Sequence, residues 1–217
     1  MYIDADGTVK EKANGEYTLL TDSMTSLSPG WYAVKGTITI SERITCGTGE
    51  VHLILCDGCA LKVPKGIRVK DNSGLTIYGQ CRNAGVLTID EGYYQSACIG
   101  GNGINGDADS GIIITINGGS ITATGGEEAA AIGGGSNGTA TVIINGGNIT
   151  ATGGDFGAGI GSGIYNSGNV TINGGSVTAT GGFKGAGIGG GHNGHSTVTI
   201  TGGVINATGG YAASGIG

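Results

Sequence analysis

The chain is predicted to be an all-β solenoid, a parallel β-helix with three short strands in each coil. Three observations carry that expectation. Asn-Gly-Gly recurs every 28 residues, at Asn117-Gly118-Gly119, Asn145-Gly146-Gly147 and Asn173-Gly174-Gly175, followed by Thr201-Gly202-Gly203. Ile132, Ile160, Ile188 and Ile216 keep the same period beside glycine, as do Thr124, Thr152, Thr180 and Thr208 before Gly-Gly pairs. A fixed period in the range of 20–50 residues marks stacked supersecondary units that cannot bury an apolar face singly. Third, one unit resolves into three strands. Thr197 to Thr201 alternates polar and apolar residues up to a Gly-Gly corner, Val204 to Thr208 alternates again up to a second, and Ala212 to Ile216 is a third short stretch. Alternation over four or five residues is the strand signal, and glycine supplies the corner geometry.

Composition agrees with an ordered fold. Fifty of the 217 residues are glycine, about three times the usual share of about 7%, but they are phased and separated by β-branched residues. With ten Lys and Arg and a formal charge of −6, no basic stripe is available for nucleic acid. No apolar run is long enough to span a bilayer. The start, Met1-Tyr2-Ile3-Asp4, does not read as a signal peptide, and no cap is written after Tyr211 to Gly217. The expectation is a domain cut from a longer secreted chain that continues past Gly217.

Taken in order, residues 1 to 35 are expected to form an N-terminal cap, with the single tryptophan, Trp31, shielding the first rung. Residues 36 to 110 are expected to form irregular, larger coils whose strands include Val51 to Leu55, Leu75 to Tyr78 and Val86 to Ile89. Ile99 corresponds to Ile132, with five extra residues placed in an insertion from Asn102 to Ser110. Residues 111 to 217 are the regular coils of one continuous domain. The period of two points Ile116, Ile144, Ile172 and Ile200 inward from the first strand. Ile121 with Ala123, Ile149 with Ala151, Val177 with Ala179, and Ile205 with Ala207 point inward from the second. Ile132, Ile160, Ile188 and Ile216 stack on the third. A left-handed hexapeptide coil would need apolar residues every six positions, which this chain lacks.

The blocks GWYAVKGTITISERITC, VHLILCDGCALKVPKGIRV, LTIYGQ and the TINGGSVTATGG…GAGIGGG unit resemble a family of secreted, cell-surface β-helix proteins of anaerobic Firmicutes. The resemblance covers roughly residues 30 to 217. It implies a right-handed parallel β-helix on a large multidomain surface protein, related to polysaccharide-binding β-helices, some of which bind acidic polysaccharide and calcium.

Five features are candidates for function. Thr122-Ala123-Thr124, Thr150-Ala151-Thr152, Thr178-Ala179-Thr180 and Asn206-Ala207-Thr208 place two hydroxyl columns on one outward face, on rungs about 4.8 Å apart. Such a grid resembles Thr-x-Thr ice-binding arrays and equally suits an extended glycan; Thr is also an ordinary outward residue of a β surface. The Asn117, Asn145 and Asn173 column reads as a structural ladder. The corner after each Thr-Gly-Gly escapes the repeat: Tyr94-Gln95, Glu127-Glu128, Asp155-Phe156, Phe183-Lys184 and Tyr211-Ala212 occupy equivalent places. Aromatic faces and carboxylates at such positions suit sugar rings, and solenoids display binding residues there. Asn102, Asn105, Asp107 and Asp109 in the insertion offer oxygen ligands for Ca²⁺, or simply a solvated turn. Of the five cysteines, aligning Leu55 with Ile77 puts Cys59 over Cys81 as either a disulfide or a stacked thiol pair. Cys98 belongs to the core, and the lone CxxC at Cys56 and Cys59 is a weak zinc motif. His192-Asn193-Gly194-His195 is an HxxH turn without an accompanying acid.

From residue 112 onward the charged residues are Glu127, Glu128, Asp155 and Lys184, too few for the acid and base pair of glycoside cleavage. No nucleophile elbow, phosphate loop or nucleotide fingerprint is present in context. The expected function is a non-catalytic, extracellular, wall-anchored domain, monomeric within a larger surface protein, that binds a polysaccharide or host surface glycan without a cofactor. The alternatives are a purely structural stalk and an ice-binding Thr face.

Overall fold

The computed structural model describes residues 1–103 and 107–217. Asn105 therefore lies outside the described residues. Three parallel sheets wrap one core, and the coil is right-handed. The first sheet has eight strands, running from Thr18–Leu19 through Gly30–Val34, Glu50–Leu55, Gly74–Gly79, Ile112–Ile116, Ala140–Ile144 and Ser167–Ile172 to His195–Ile200. The second has seven, from Thr37–Thr39 to Val204–Thr208, and the third has seven, mostly of two or three residues, from Ser26–Leu27 to Ile188–Gly189. Among the described residues the only antiparallel pair is the N-terminal hairpin of Tyr2–Ile3 and Val9–Lys10.

The alternation of Ile and Thr decides which side chains enter. Ile116, Ile144 and Ile172 from the first sheet, Ile121, Ile149 and Val177 from the second, and Ile132, Ile160 and Ile188 from the third are all buried, in register from coil to coil. Each such side chain contributes about 1.5–3 kcal/mol through removal from water. In the last rung Ile200 and Ile216 lie in the same columns but are exposed. The second glycine of each Asn-Gly-Gly corner sits at a φ of +88 to +98° (Gly119, Gly147, Gly175, and Gly203 after Thr201), which is why glycine recurs there.

The asparagine column is the ladder the repeat implies. Asn145 Nδ2 donates to Asn117 Oδ1 at 2.8 Å, Asn173 Nδ2 to Asn145 Oδ1 at 2.8 Å, and Thr201 Oγ1 to Asn173 Oδ1 at 2.8 Å. Asn145→Ala breaks two of these bonds on partly covered groups. It is expected to lower stability by about 1–2 kcal/mol at about 0.5–1.5 kcal/mol per bond, read as a shifted denaturant midpoint. Asn145→Gln, whose longer side chain shifts the amide out of register, should recover little of the loss.

The N-terminal third differs from its expected form in three ways. The coil starts earlier than residue 36: Thr18 and Leu19 already pair in parallel with Tyr32 and Ala33, and Ser26 and Leu27 with Thr45 and Cys46. The early coils are shorter in sequence, not larger. Ala33 faces Ile54 and Ile54 faces Tyr78, steps of 21 and 24 residues against the later 28. Buried Leu53, Leu55, Leu61, Leu75 and Leu87 fill that section with fewer, bulkier side chains. Trp31 does not shield the end of the core. It pairs with His52 on the outward side of the first sheet, stacks on the His52 ring (4.2 Å, 15°), and packs against Tyr2 and Tyr78 at 5.0 and 5.1 Å. The N-terminal hairpin folds Tyr2 over this face, forming a second apolar cluster with Ala33, Ile54 and Tyr78. Tyr32, its neighbour on the inward side, packs against the main core instead.

The expected stacking of Cys59 over Cys81 also fails. Leu55 faces Gly79, two residues beyond Ile77. Cys59 is buried, Cys81 is exposed, and all five cysteines are free thiols. Cys98 is core, its Sγ donating to the Thr124 carbonyl at 2.6 Å, and burial pushes its thiol up to about 12.

Candidate ligand-binding surface

The corner residues that escape the repeat form one column. The Glu128 amide donates to the Tyr94 carbonyl at 2.9 Å, Phe156 to Glu127 at 2.8 Å, Lys184 to Asp155 at 2.8 Å and Ala212 to Phe183 at 3.3 Å. Tyr94, Glu127, Asp155, Phe183 and Tyr211 thus occupy one line along the axis, with Gln95, Glu128, Phe156, Lys184 and Ala212 beside it. Four rung steps of about 4.8 Å make the ledge about 19 Å long.

Its side chains are organised, and partly against one another. The Phe183 and Tyr211 rings stack at 5.4 Å with 4° between planes, so each uses one face on the other, and Tyr211 remains 88% exposed. Lys184 Nζ stands 5.6 Å from the Phe156 ring centre, and the His192 ring is 5.8 Å away on Phe156 and 6.5 Å from Tyr165. Tyr94 Oη donates to Glu128 Oε1 at 3.0 Å and Gln95 Nε2 to Oε2 at 2.9 Å, so both oxygens of Glu128 are engaged. That carboxylate raises the Tyr94 phenol. Glu127 and Asp155 face solvent.

Tyr165 and His192 were not expected here. The strands of the third sheet are so short that the turn leaving them returns beside the corner that entered. The His192 amide donates to the Phe156 carbonyl at 2.7 Å, and the Tyr165 amide to the His192 carbonyl at 3.1 Å. Tyr165 holds a φ of +53°, a conformation uncommon outside glycine and asparagine. An aromatic in that position is the one sequence signal that marks this turn.

At the Tyr94 end the ledge opens into a cleft of about 530 Å³ lined by Pro64, Lys65, Asp90, Glu91, Tyr93 and Tyr94. Lys62 pairs with Asp90 at 2.6 Å and Lys65 with Glu42 at 2.7 Å, whereas Glu91 makes no ion pair among the described residues. The Arg43 guanidinium lies 5.8 Å from the Tyr93 ring and braces it from behind. An aromatic platform with a few convergent polar groups in a space of this size is the usual form of a small-ligand site.

The Thr columns lie beside the ledge. Thr122, Thr150 and Thr178 pair in register and are exposed; Thr124, Thr152 and Thr180 pair in register but are half-buried against the corner, with Thr208 exposed at the end. The first column continues through Thr88 to Lys62, so it runs into the cleft rather than forming an isolated flat grid.

The insertion is arranged around the protein's own cation. Asp109, 1% exposed, accepts from Arg68 Nε at 2.8 Å and Nη2 at 2.9 Å, and Asp107 accepts from Nη2 at 3.0 Å. Asn102 Oδ1 accepts from Arg43 Nη1 at 3.1 Å and Ser96 Oγ at 2.7 Å. The oxygens considered as calcium ligands therefore have partners, with Arg68 in the place a metal would take, and no His, Cys, Asp and Glu cluster suited to a metal occurs among the described residues.

The repeat itself is similar to a known one. Four segments match the family model described as Beta helix repeat. They are residues 114–136, 142–164, 170–192 and 198–217, and their starts fall 28 residues apart. Each begins inside a first-sheet strand, and the first three end in the turn after the third sheet, so the matched unit is one full coil. No curated protein and no solved structure matches the chain.

Proposed function

We propose that this β-helix is a non-catalytic, extracellular, cell-surface domain that binds a glycan along the corner ledge and in the cleft at its end. The observation that carries the reading is the single column of Tyr94, Glu127, Asp155, Phe183 and Tyr211, set by backbone hydrogen bonds at rung spacing and bordered by Thr hydroxyls. Rings supply apolar faces for sugar C–H surfaces, and carboxylates and hydroxyls supply acceptors and donors for sugar hydroxyls. The surface is suited to holding rather than cleaving: Glu128 is engaged at both oxygens, and only Glu127 and Asp155 remain as carboxylates on the regular coils. The partner is a polysaccharide or host surface glycan, engaged without a cofactor.

The test is a glycan array followed by titration of any hit with two variants, Phe183→Ala with Tyr211→Ala, and Tyr93→Ala with Tyr94→Ala. Each ring contact is worth about 0.5–1.5 kcal/mol, so each pair should weaken binding about tenfold or more. Unchanged affinity in both variants, or an array without hits, would overturn the proposal. The unbroken core and the asparagine ladder favour the stalk as the second reading, since both stiffen the coil along its axis.

A further inference from the structure

The corner is not the only place where the 28-residue units differ. Strand pairing shows three more adjacent columns that change from coil to coil, at the start of the first-sheet strands. Ile112 faces Ala140, Gly168 and Ser196 in successive coils. On one side of that column stand Thr139, Ser167 and His195, and on the other Ile113, Thr141, Asn169 and Thr197. Two residues further along the same strands the chain returns to a constant apolar column of Ile114, Val142, Val170 and Val198.

These variable columns line one groove of about 540 Å³. Its origin is the middle column, where side-chain volume falls from Ile112 to Ala140 to Gly168 while the flanking residues keep their size. The groove crosses four rungs, three steps of about 4.8 Å, and so runs about 14 Å along the axis. It opens on a different sheet from the Thr columns and the cleft.

The groove has hydrogen-bonding capacity that the protein leaves unused. In the asparagine ladder of the same sheet each amide bonds the next rung. The side chains of Thr141, Ser167, Asn169, His195 and Thr197, by contrast, make no hydrogen bond among the described residues, and Ser167, Asn169, His195 and Thr197 are exposed. No Asp, Glu, Lys or Arg lines the groove. Variation inside an otherwise strict repeat, a concave shape and unspent neutral donors and acceptors coincide at one place.

We infer that this groove is a second ligand site, separate from the ledge, that takes an extended, uncharged, hydroxyl-rich polymer lying along the solenoid axis: a neutral polysaccharide chain. A charged polymer would lose its hydration there without gaining a counter-ion. A neutral sugar chain exchanges water for Thr, Ser, Asn and His partners at a regular spacing. The HxxH turn joins the two sites, since His192 contacts the ledge ring of Phe156 while His195 lines the groove.

The experiment uses a ledge-deficient background, Tyr93→Ala, Tyr94→Ala, Phe183→Ala and Tyr211→Ala, so that the two sites report separately. Its amide spectrum is titrated with neutral hexasaccharides of glucose, xylose, mannose and N-acetylglucosamine, and with a galacturonic acid oligomer as the acidic control. The expected result is that at least one neutral hexasaccharide shifts amides of residues 139–141, 167–169 and 195–197. Adding Thr141→Ile and Asn169→Leu, exposed positions that keep β-compatible side chains, should weaken that binding at least tenfold without moving the melting midpoint. Absence of those shifts with all four hexasaccharides, insensitivity to the groove substitutions, or stronger binding of the acidic oligomer there would overturn the inference. Loss of all binding in the ledge-deficient background refutes the groove and leaves the ledge standing. Groove shifts with no effect of the ledge substitutions on the parent protein do the reverse.

Discussion

Gly161→Ala is expected to destabilise the domain by about 3–5 kcal/mol, a loss at the upper end of the single-substitution range. Gly100, Gly133, Gly161 and Gly189 form one column of the third sheet, each paired with the next and each at a φ between +134 and +141°. Two costs coincide there. The backbone conformation is one that L-residues avoid, at about 1–2 kcal/mol. In addition, a Cβ built on Gly161 overlaps the Gly189 carbonyl oxygen, backbone that cannot swing away as a flexible side chain could. That oxygen accepts the Ser162 amide at 3.0 Å, and the Gly161 oxygen accepts Gly134 at 2.9 Å, so making room opens the ladder on both sides. At about 2–4 °C per kcal/mol for a domain of this size, the melting midpoint should fall by about 10 °C. Gly7→Ala in the N-terminal hairpin is the control: its φ of +79° carries the conformational cost, but nothing lies within reach of the added methyl. Equal, small losses for the two would show that the close approach in the column does not matter.

How far the chain could be read beforehand follows from what repetition encodes. The inward columns of the regular coils were legible because Ile116, Ile144 and Ile172 recur with both the period of two and the period of 28. The same regularity misleads where spacing varies. Val51 to Leu55 and Leu75 to Gly79 alternate in such a way that a shift of two residues leaves the inward pattern intact. Pairing Leu55 with Ile77 was therefore as plausible as the actual partner, Gly79, and the Cys59 and Cys81 stack fell with it. Trp31 was misplaced because its cover, Tyr2, lies in a hairpin outside any repeat. In the ledge, the column from Tyr94 to Tyr211 was visible as a failure of the period. The contacts of Phe156 with His192 and of Tyr93 with Arg43 join loops that share no sequence pattern. The groove was overlooked because its three variable columns sit inside strands, where one unit shows only an ordinary alternation, and their adjacency appears once the register of four coils is known.

Asp109→Asn, which keeps the shape of the side chain and removes its charge, is expected to cost about 3 kcal/mol and to weaken the cleft as well. Asp109 is the buried anion between two guanidinium groups. It binds Arg68 through both oxygens and holds the Asn102 amide at 2.8 Å, and Asn102 in turn receives Arg43, which also donates to the Ala97 carbonyl at 3.0 Å. Burial, with the charge of Arg68 beside it, pushes Arg43 down to about 10, and Asp109 acts in the opposite direction. Arg43 remains a cation at neutral pH, so its charge must be balanced in place. Removing one partner of a buried pair costs about 3–5 kcal/mol because the other charge stays behind. The lower end applies here, since Arg68 keeps Asp107 and part of its side chain reaches solvent. Replacing both partners, Asp109→Leu with Arg68→Leu, should recover much of the loss, because no uncompensated charge is then left. The consequence for the site follows from Arg43, whose guanidinium braces the Tyr93 ring on the wall of the cleft. If Asp109 holds that brace, Asp109→Asn reduces affinity for a cleft ligand while leaving the Phe183 and Tyr211 stack, and the binding that depends on it, unchanged. A loss of stability below about 1 kcal/mol, within the range of an exposed pair, or cleft affinity that does not move, would show that the insertion is a surface loop with no part in shaping the site.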